Sequence, residues 1–255
     1  MTSTGRYLYG LIRAGEDLDL GCIGLEHAGK PARVYTLRVE SLAAVVSEYA
    51  TGQRVLPLRK NLDPHNKVIR EVMRIATIVP MTFGHVARSE GEIARTLRRN
   101  RDEIQAQLDR VDGKVEMGLE VRWDVDNIFE YFVGIDPRLA AMRDQLFGRS
   151  GAPSRAEKID LGSLFEERLR RERAEQTDRV LETLRSCASD VKVNPPKGEK
   201  VVMELAFLVD RGGLGPFDER VHEVAGTFPA HYTFDYRGPW APFDFVELDL
   251  RSAAA

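Results

Sequence analysis

Three stretches near the start of the chain have the pattern of β-strands. They are RYLYGLIR (6–13), VYTLRV (34–39) and AAVVSEY (43–49), and all are rich in aromatic and β-branched residues, which favour extended backbone. Because Glu40–Ser41 separates the second from the third, we expect a tight turn there. The Gly-rich segment between Gly15 and Pro31 has little pattern and is predicted to be mostly loop.

A cleaner alternation begins after Gly113, in KVEMGLEVRW. Its apolar residues occupy one face of a strand: Val115, Met117, Leu119, Val121 and Trp123. The opposite face carries charged residues, Glu116 among them, so this strand is expected to be half exposed. VVMELAFLVD (201–210) is apolar on both faces and is predicted to be a central strand. HYTFDYRG (231–238) is expected to be the last strand, ending at about Arg237.

Helix signals separate these strands. Asp63 as N-cap and Pro64 as first residue predict a helix start, and Pro80 is expected to end that helix. Its apolar face is predicted to hold Val68, Val72, Ile75 and Val79. Further starts are predicted at Ser89 with Glu92, Asp136 with Pro137, Ser154 with Glu157, and Pro216. The middle of the long helix after Ser154, RRERAEQTD (170–178), has little apolar character and is expected to project into solvent or meet a partner.

The order of elements predicts the fold class. From residue 113 it is strand, helix, strand, strand, helix, strand, which is the order of a ferredoxin-like (βαββαβ) domain with an antiparallel sheet. The helical piece at 125–148 would be an insertion. We therefore predict an α+β protein with an N-terminal α+β domain (1–112), a modified ferredoxin-like domain (113–238) and a C-terminal tail (239–255).

The tail is apolar although it follows the last predicted strand. GPWAPFDFVELDL (238–250) contains two prolines, which exclude a helix or a central strand. Trp240, Phe243 and Phe245 are nevertheless large apolar side chains, each of which stabilises a fold by ~1.5–3 kcal/mol when fully buried. We predict that the tail packs back on the N-terminal domain with these three residues as anchors. A disordered tail, or a tail that grips a partner, are the alternatives.

Composition narrows the range of partners. The chain of 255 residues has a net charge of −3, whereas nucleic-acid binders are usually basic, so we expect no nucleic-acid partner. No run of about eighteen apolar residues occurs, so no membrane partner is expected. Cys22 and Cys187 form no CxxC pair, and the opening residues lead straight into a strand pattern instead of a signal peptide. A cytoplasmic protein with free thiols is the simplest interpretation.

Candidate chemistry is sparse. Asp63 and His65 lie two residues apart with His85 downstream, so a metal site or an enzyme using all three is one hypothesis. No HExxH motif or histidine pair at helical spacing supports it. The glycines of RGGLGPFD (211–218) are explained by a tight turn, since the sequence lacks the ending of a P-loop. We predict no catalytic residue, no cofactor and no metal; a small-molecule-binding regulatory module is a further alternative, by fold analogy alone.

Six short stretches form an ordered set along the chain. They are YLYGL (7–11), HNKVI (65–69), VPMTFG (79–84), EMGLEVRWD (116–124), AFLVD (206–210) and GPWAPFDFVEL (238–248). Together they resemble the gas vesicle protein F/L family. The tail departs from the family's more frequent form, which has two prolines, a tyrosine and a serine where this chain has APFDF.

The resemblance implies a function and a set of partners. It implies a minor structural or assembly protein of the gas vesicle, a hollow protein shell filled with gas. The implied partners are the small hydrophobic shell protein and other accessory vesicle proteins, and the implied location is the cytoplasm, at the gas vesicle. Neither catalysis nor a cofactor is implied. The implied structure has two α+β domains, the second a modified ferredoxin fold.

Overall fold

The structure is a computed structural model that describes residues 4–15, 18–52, 54–148 and 152–248. Its contacts divide the chain into two units. Met1–Glu116 together with Pro239–Ala255 form the first unit, and Met117–Gly238 form the second. Helices and sheet strands occur in both units, and the predicted α+β class is confirmed. The domain limits derived from the sequence remain a prediction.

The first unit is built around a sheet of long and short strands. Its described strands are β1 (Thr4–Arg13), β2 (Asp19–Gly21), β3 (Glu26–His27), β4 (Lys30–Pro31), β5 (Val34–Val39), β6 (Leu42–Ala50), β7 (Val79–Pro80) and β8 (Val86–Ala87). The sheet order is β2-β5-β6-β1-β7, β8 also pairs with β1, and β3 pairs with β4 in a separate hairpin. Its described helices are α1 (Arg59–Met73), α2 (Glu90–Arg99) and α3 (Arg101–Arg110).

Strand β1 lies in the core of this unit. Every residue from Tyr7 to Ile12 is buried, so both faces of the strand are covered. Its pairing with β6 shifts register between Leu8 and Gly10. A Cβ at Gly10 would lie 2.5 Å from the Ile78 side chain and 2.9 Å from the Val79 carbonyl oxygen, so a larger residue would force its neighbours to shift. The predicted turn between β5 and β6 is confirmed, because Val39 pairs with Leu42 across Glu40–Ser41.

Helix α1 differs from the prediction at both ends. It begins at Arg59, not at Asp63, and the Asp63 carboxylate accepts from the Arg59 guanidinium one turn earlier, with an N–O distance of 3.3 Å. Pro64 therefore lies inside the helix, where it lacks the N–H that would bond four residues back. The helix ends at Met73 instead of Pro80. Val68 and Val72 are buried as predicted, whereas Ile75 is exposed beyond the helix end and Val79 pairs with Leu11 as part of β7.

The next predicted helix is two helices, α2 and α3, that meet at Asn100. The Asn100 side-chain amide donates to the Thr96 carbonyl at 2.8 Å, which ends α2. At its start, the Ser89 hydroxyl accepts from the Glu92 N–H at 3.2 Å, as predicted. The Glu92 carboxylate accepts from the N–H of Arg88, not of Ser89. The predicted apolar face is buried along both helices: Ile93, Leu97, Ile104, Leu108 and Val111.

The second unit contains a four-stranded sheet and four helices among its described residues. The elements are β9 (Lys114–Trp123), α4 (Ile128–Ile135), α5 (Pro137–Phe147), α6 (Arg155–Leu184), β10 (Asp190–Asn194), β11 (Val201–Asp210), α7 (Leu214–Gly226) and β12 (Tyr232–Trp240). Residues 114–116 of β9 and 239–240 of β12 belong to the first unit. The sheet order is β10-β11-β9-β12, so β11 and β9 are interior strands. Apart from α4 and α5, the order of elements is the one predicted for a ferredoxin-like domain, and we keep that name as an interpretation.

Two expectations for this unit are wrong. The middle of α6 has exposed residues but does not project past the sheet, because Arg173 donates to the carbonyls of Val201 and Gly198, each at 2.9 Å. A stretch with few apolar residues is thus held to the sheet by hydrogen bonds. Contact of this stretch with a partner stays a prediction. The last strand runs to Trp240 instead of Arg237. Pro239 is accommodated because β12 is an edge strand, where a missing N–H costs no interior ladder bond.

Candidate functional site

The C-terminal tail belongs to the first unit, and its apolar residues differ in burial. Ala241 and Phe245 are each 2% exposed, whereas Trp240 is 40% exposed and Phe243 is 39% exposed. Phe243–Phe245 form a single 3-10 turn. Of the three predicted anchors, the structure therefore places one in the core and leaves two partly at the surface. Leu250 lies outside the described residues.

Hydrogen bonds fix the tail backbone on the unit. The N–H of Asp244 donates to Oε2 of Glu116 at 2.8 Å, and the N–H of Glu247 donates to the Gln107 side chain at 3.4 Å. Glu116 is only 6% exposed, so its predicted position on an exposed face is wrong. The reason is that the tail covers this end of β9. A buried carboxylate needs such donors, since its desolvation is otherwise costly.

The tail and α1 enclose a groove of about 270 Å³, which we call the tail groove. Its lining residues come from α1, β9 and the tail: Asn66, Ile69, Arg70, Glu116, Trp240, Ala241 and Phe243. Ile69 and Ala241 are buried and form its apolar floor. Partly exposed aromatic rings beside an arginine are the kind of side chains that contribute most of the binding energy at protein interfaces. The volume lies just below the usual range for small-molecule sites, about 300–1,000 Å³.

Arg70 and Asn66 carry the polar chemistry of the tail groove. Both are exposed on α1, four residues apart and therefore on one face of the helix. Neither makes a hydrogen bond or an ion pair within the part of the chain that the structure describes. Neither residue, nor Glu116, is predicted from the sequence to belong to a site. Nothing in the local pattern singles them out, because only the return of the tail brings them together.

The structure does not bring the three residues of the metal or enzyme hypothesis together in one site, although His65 and His85 are near enough for their charges to interact. Asp63 is exposed and paired with Arg59. His85 lies within 2.8 Å of the Thr82 hydroxyl through its Nε2. His65 is 2% exposed, and its Nδ1 lies 2.9 Å from the hydroxyl of Tyr7. In the ranges that the structure describes, no group of three or more His, Cys, Asp and Glu residues could hold a metal ion.

His65 instead belongs to an aromatic cluster in the core. Its ring stacks 5.8 Å from Tyr9 and meets Tyr7 and Phe83 edge-on. The N–H of Gly84 donates to the Tyr7 hydroxyl at 3.1 Å, which leaves the hydroxyl proton to be donated to Nδ1 of His65. Burial lowers the pKa of His65 to about 4, so the imidazole is neutral at pH 7. This arrangement satisfies buried polar groups and suits a structural role.

None of the helices in the described ranges combines the length and the apolar character needed to cross a bilayer.

Comparison with known proteins connects this fold to one family. Residues 5–247 match the family model described as "Gas vesicle synthesis protein GvpL/GvpF". The chain is similar to gas vesicle protein F of Dolichospermum flosaquae, with 25% identity over 246 residues that cover 95% of this chain and 98% of that protein. It is also similar to gas vesicle protein L of Streptomyces sp. (strain CB03234), with 28% identity over 265 residues, 95% and 93% of the two chains.

Solved structures share the fold. The crystal structure of the gas vesicle protein GvpF from Anabaena sp. PCC7120 matches with a TM-score of 0.82 and 24% identity, over 97% of this chain and all of that one (100%). The crystal structure of GvpF from Microcystis aeruginosa matches with a TM-score of 0.80 and 21% identity, over 96% and 99% of the two chains.

Proposed function

The chain belongs to the GvpL/GvpF family of gas vesicle synthesis proteins, and from this premise we propose that it is a minor structural or assembly protein that works by binding. Family membership ties it to the gas vesicle. The finer proposal is that it binds the small hydrophobic shell protein, or another accessory vesicle protein, while vesicles form in the cytoplasm. Its role is to hold apolar subunits before or during polymerisation, or to attach to the finished wall.

The tail groove is the observation that supports this proposal most. Trp240 and Phe243 keep 40% and 39% of their surface exposed, although neighbouring Phe245 is buried and the backbone of Asp244 is bonded to Glu116. The backbone that carries the two rings is thus held on the first unit before a partner arrives. A pre-organised aromatic surface binds more tightly than a mobile one, because less ordering entropy is lost on association.

The placement of the histidines favours binding over turnover. An acid–base pair needs side chains within hydrogen-bond reach of each other and of a substrate. Asp63 is paired with Arg59 on the surface, and His65 is buried against Tyr7. We therefore propose no catalytic residue and no cofactor. Variants Asp63→Asn and His85→Gln are expected to support vesicle formation as well as the native chain in a host that lacks the gene.

Binding to purified shell protein tests the proposal directly. The full chain is immobilised, and monomeric shell protein held in a mild detergent is passed over it. We expect saturable binding, weakened about tenfold or more in the double variant Trp240→Ser, Phe243→Ser. Phe147→Ser is the matched control, because Phe147 is also exposed (59%) but lies in the second unit. It is expected to bind as the native chain does.

The proposal fails on a clear combination of results. If the native chain bound neither shell protein nor any other purified vesicle protein, and if deletion of its gene left vesicle formation intact, a binding role in assembly would be wrong.

A further inference from the structure

We propose that the tail groove binds a protein segment in which a large apolar side chain adjoins a carboxylate. This rests on the proposed function, because the segment is expected to belong to a vesicle protein. The two halves of the groove would contact different groups of the bound segment. One half is an apolar slot between the tail and α1, and the other is the exposed guanidinium of Arg70 at its rim.

The apolar half suits one side chain. Ile69 and Ala241 are both 2% exposed and form the floor, and the partly exposed Trp240 and Phe243 also line the groove. A volume of about 270 Å³ is small for a drug-sized ligand and fits a side chain inserted from a neighbouring chain. Filling the slot would remove the exposed parts of both rings from water, which is the main favourable contribution to such contacts.

The polar half selects the charge beside that side chain. Oε2 of Glu116 already accepts from the Asp244 N–H, at 2.8 Å, whereas Arg70 has no partner within the described residues. A carboxylate placed at Arg70 would form a charge-assisted, two-point hydrogen bond. A lysine or arginine placed there would be repelled. A nucleic acid is disfavoured too, because buried Glu116 contributes to the groove wall and the net charge of the chain is −3.

The two tryptophans allow a direct measurement. The chain contains only Trp123 and Trp240, so full-length protein labelled with nitrogen-15 tryptophan gives two indole N–H signals. Trp123 is 2% exposed in the second unit and serves as the internal reference. The probes are three short peptides in a Gly-Ser background that differ only in a central pair: Leu-Glu, Leu-Lys and Ala-Glu. Titration of each into the protein is followed by the shifts of both signals.

We expect the Leu-Glu peptide to move the Trp240 signal and leave the Trp123 signal in place. The Leu-Lys and Ala-Glu peptides should bind about threefold to tenfold more weakly. Arg70→Gln should remove the preference for Leu-Glu over Leu-Lys. Lys60→Gln, which neutralises another exposed cation of α1, should leave that preference unchanged. Both substitutions are at exposed positions, and equal melting temperatures would verify that the fold is intact.

Three results would overturn the inference. The first is an equal shift of Trp240 with the Leu-Glu and Leu-Lys peptides. The second is a Trp240 signal that shifts with none of the peptides while the full chain still binds shell protein. The proposed function would then still hold. The third is a Trp240 signal that moves with protein concentration alone, because a second copy of the chain would then occupy the groove.

Discussion

The backbone N–H of Asp244 donates a hydrogen bond to the buried carboxylate of Glu116 across 128 residues of sequence, at 2.8 Å. This contact joins the tail to the start of β9. We predict that Glu116→Ala lowers the free energy of unfolding by about 1–3 kcal/mol, because the donor would lose its acceptor inside the fold. Urea denaturation measures the change. Glu120→Ala, on the same strand and in a surface pair with Arg122, is the control and should change stability by less than about 1 kcal/mol.

An equal loss in the two variants would contradict this prediction. It would mean that the contact between Glu116 and the tail contributes no more to stability than an ordinary surface ion pair.

Two phenylalanines in one turn give a matched comparison of burial. Phe245 is 2% exposed and Phe243 is 39% exposed. Phe245→Ala is expected to cost about 3–5 kcal/mol of stability, because it leaves a cavity. Phe243→Ala should cost roughly half as much or less, since much of its ring is already in water. Thermal melts of the two variants test the order. The same melting temperature for both would show that the tail is not held as described.

The sequence predicted the tail as an apolar segment but not which of its rings is buried. Phe243 and Phe245 lie two residues apart, and a 3-10 turn of three residues is too short to show a periodic pattern in the sequence. The burial of Glu116 is likewise not predicted from the sequence. Its strand alternates so cleanly that the charged face is expected to be exposed, and only contact with residues more than a hundred positions away reverses that.

Predictions from short sequence patterns are confirmed where neighbouring residues determine the structure. The alternation from Val115 to Trp123 correctly gives the buried face of β9, and Ser89 is the N-cap of α2. Asp63 and Pro64 also form a sound local start signal, but α1 begins earlier and the signal lies inside it. The Asn66–Arg70 edge of the tail groove had no sequence signature, because exposed polar residues on a helix are common.

Hydrogen bonds from Arg173 hold the polar middle of α6 against the sheet, and a conservative substitution tests how much they contribute to stability. Its guanidinium donates to three carbonyls, those of Val201, Gly198 and Glu199, at 2.9–3.0 Å. We predict that Arg173→Lys lowers stability by about 1–2 kcal/mol, since an ammonium cannot reproduce the planar fork. Arg171→Lys, at an exposed position of the same helix, should have almost no effect in the same denaturation assay. Equal effects would contradict this role for Arg173.

His65 should make stability depend on pH in a defined window. Burial lowers its pKa from 6.5 to about 4, so the unfolded chain takes up a proton at a higher pH than the folded chain does. The resulting stabilisation is present above pH 6.5 and is lost as the pH falls towards 4, by ~3 kcal/mol in total. His65→Gln cannot titrate and should show a flatter profile of unfolding free energy over this window, whatever its stability at pH 7. A native slope in His65→Gln would refute the assignment.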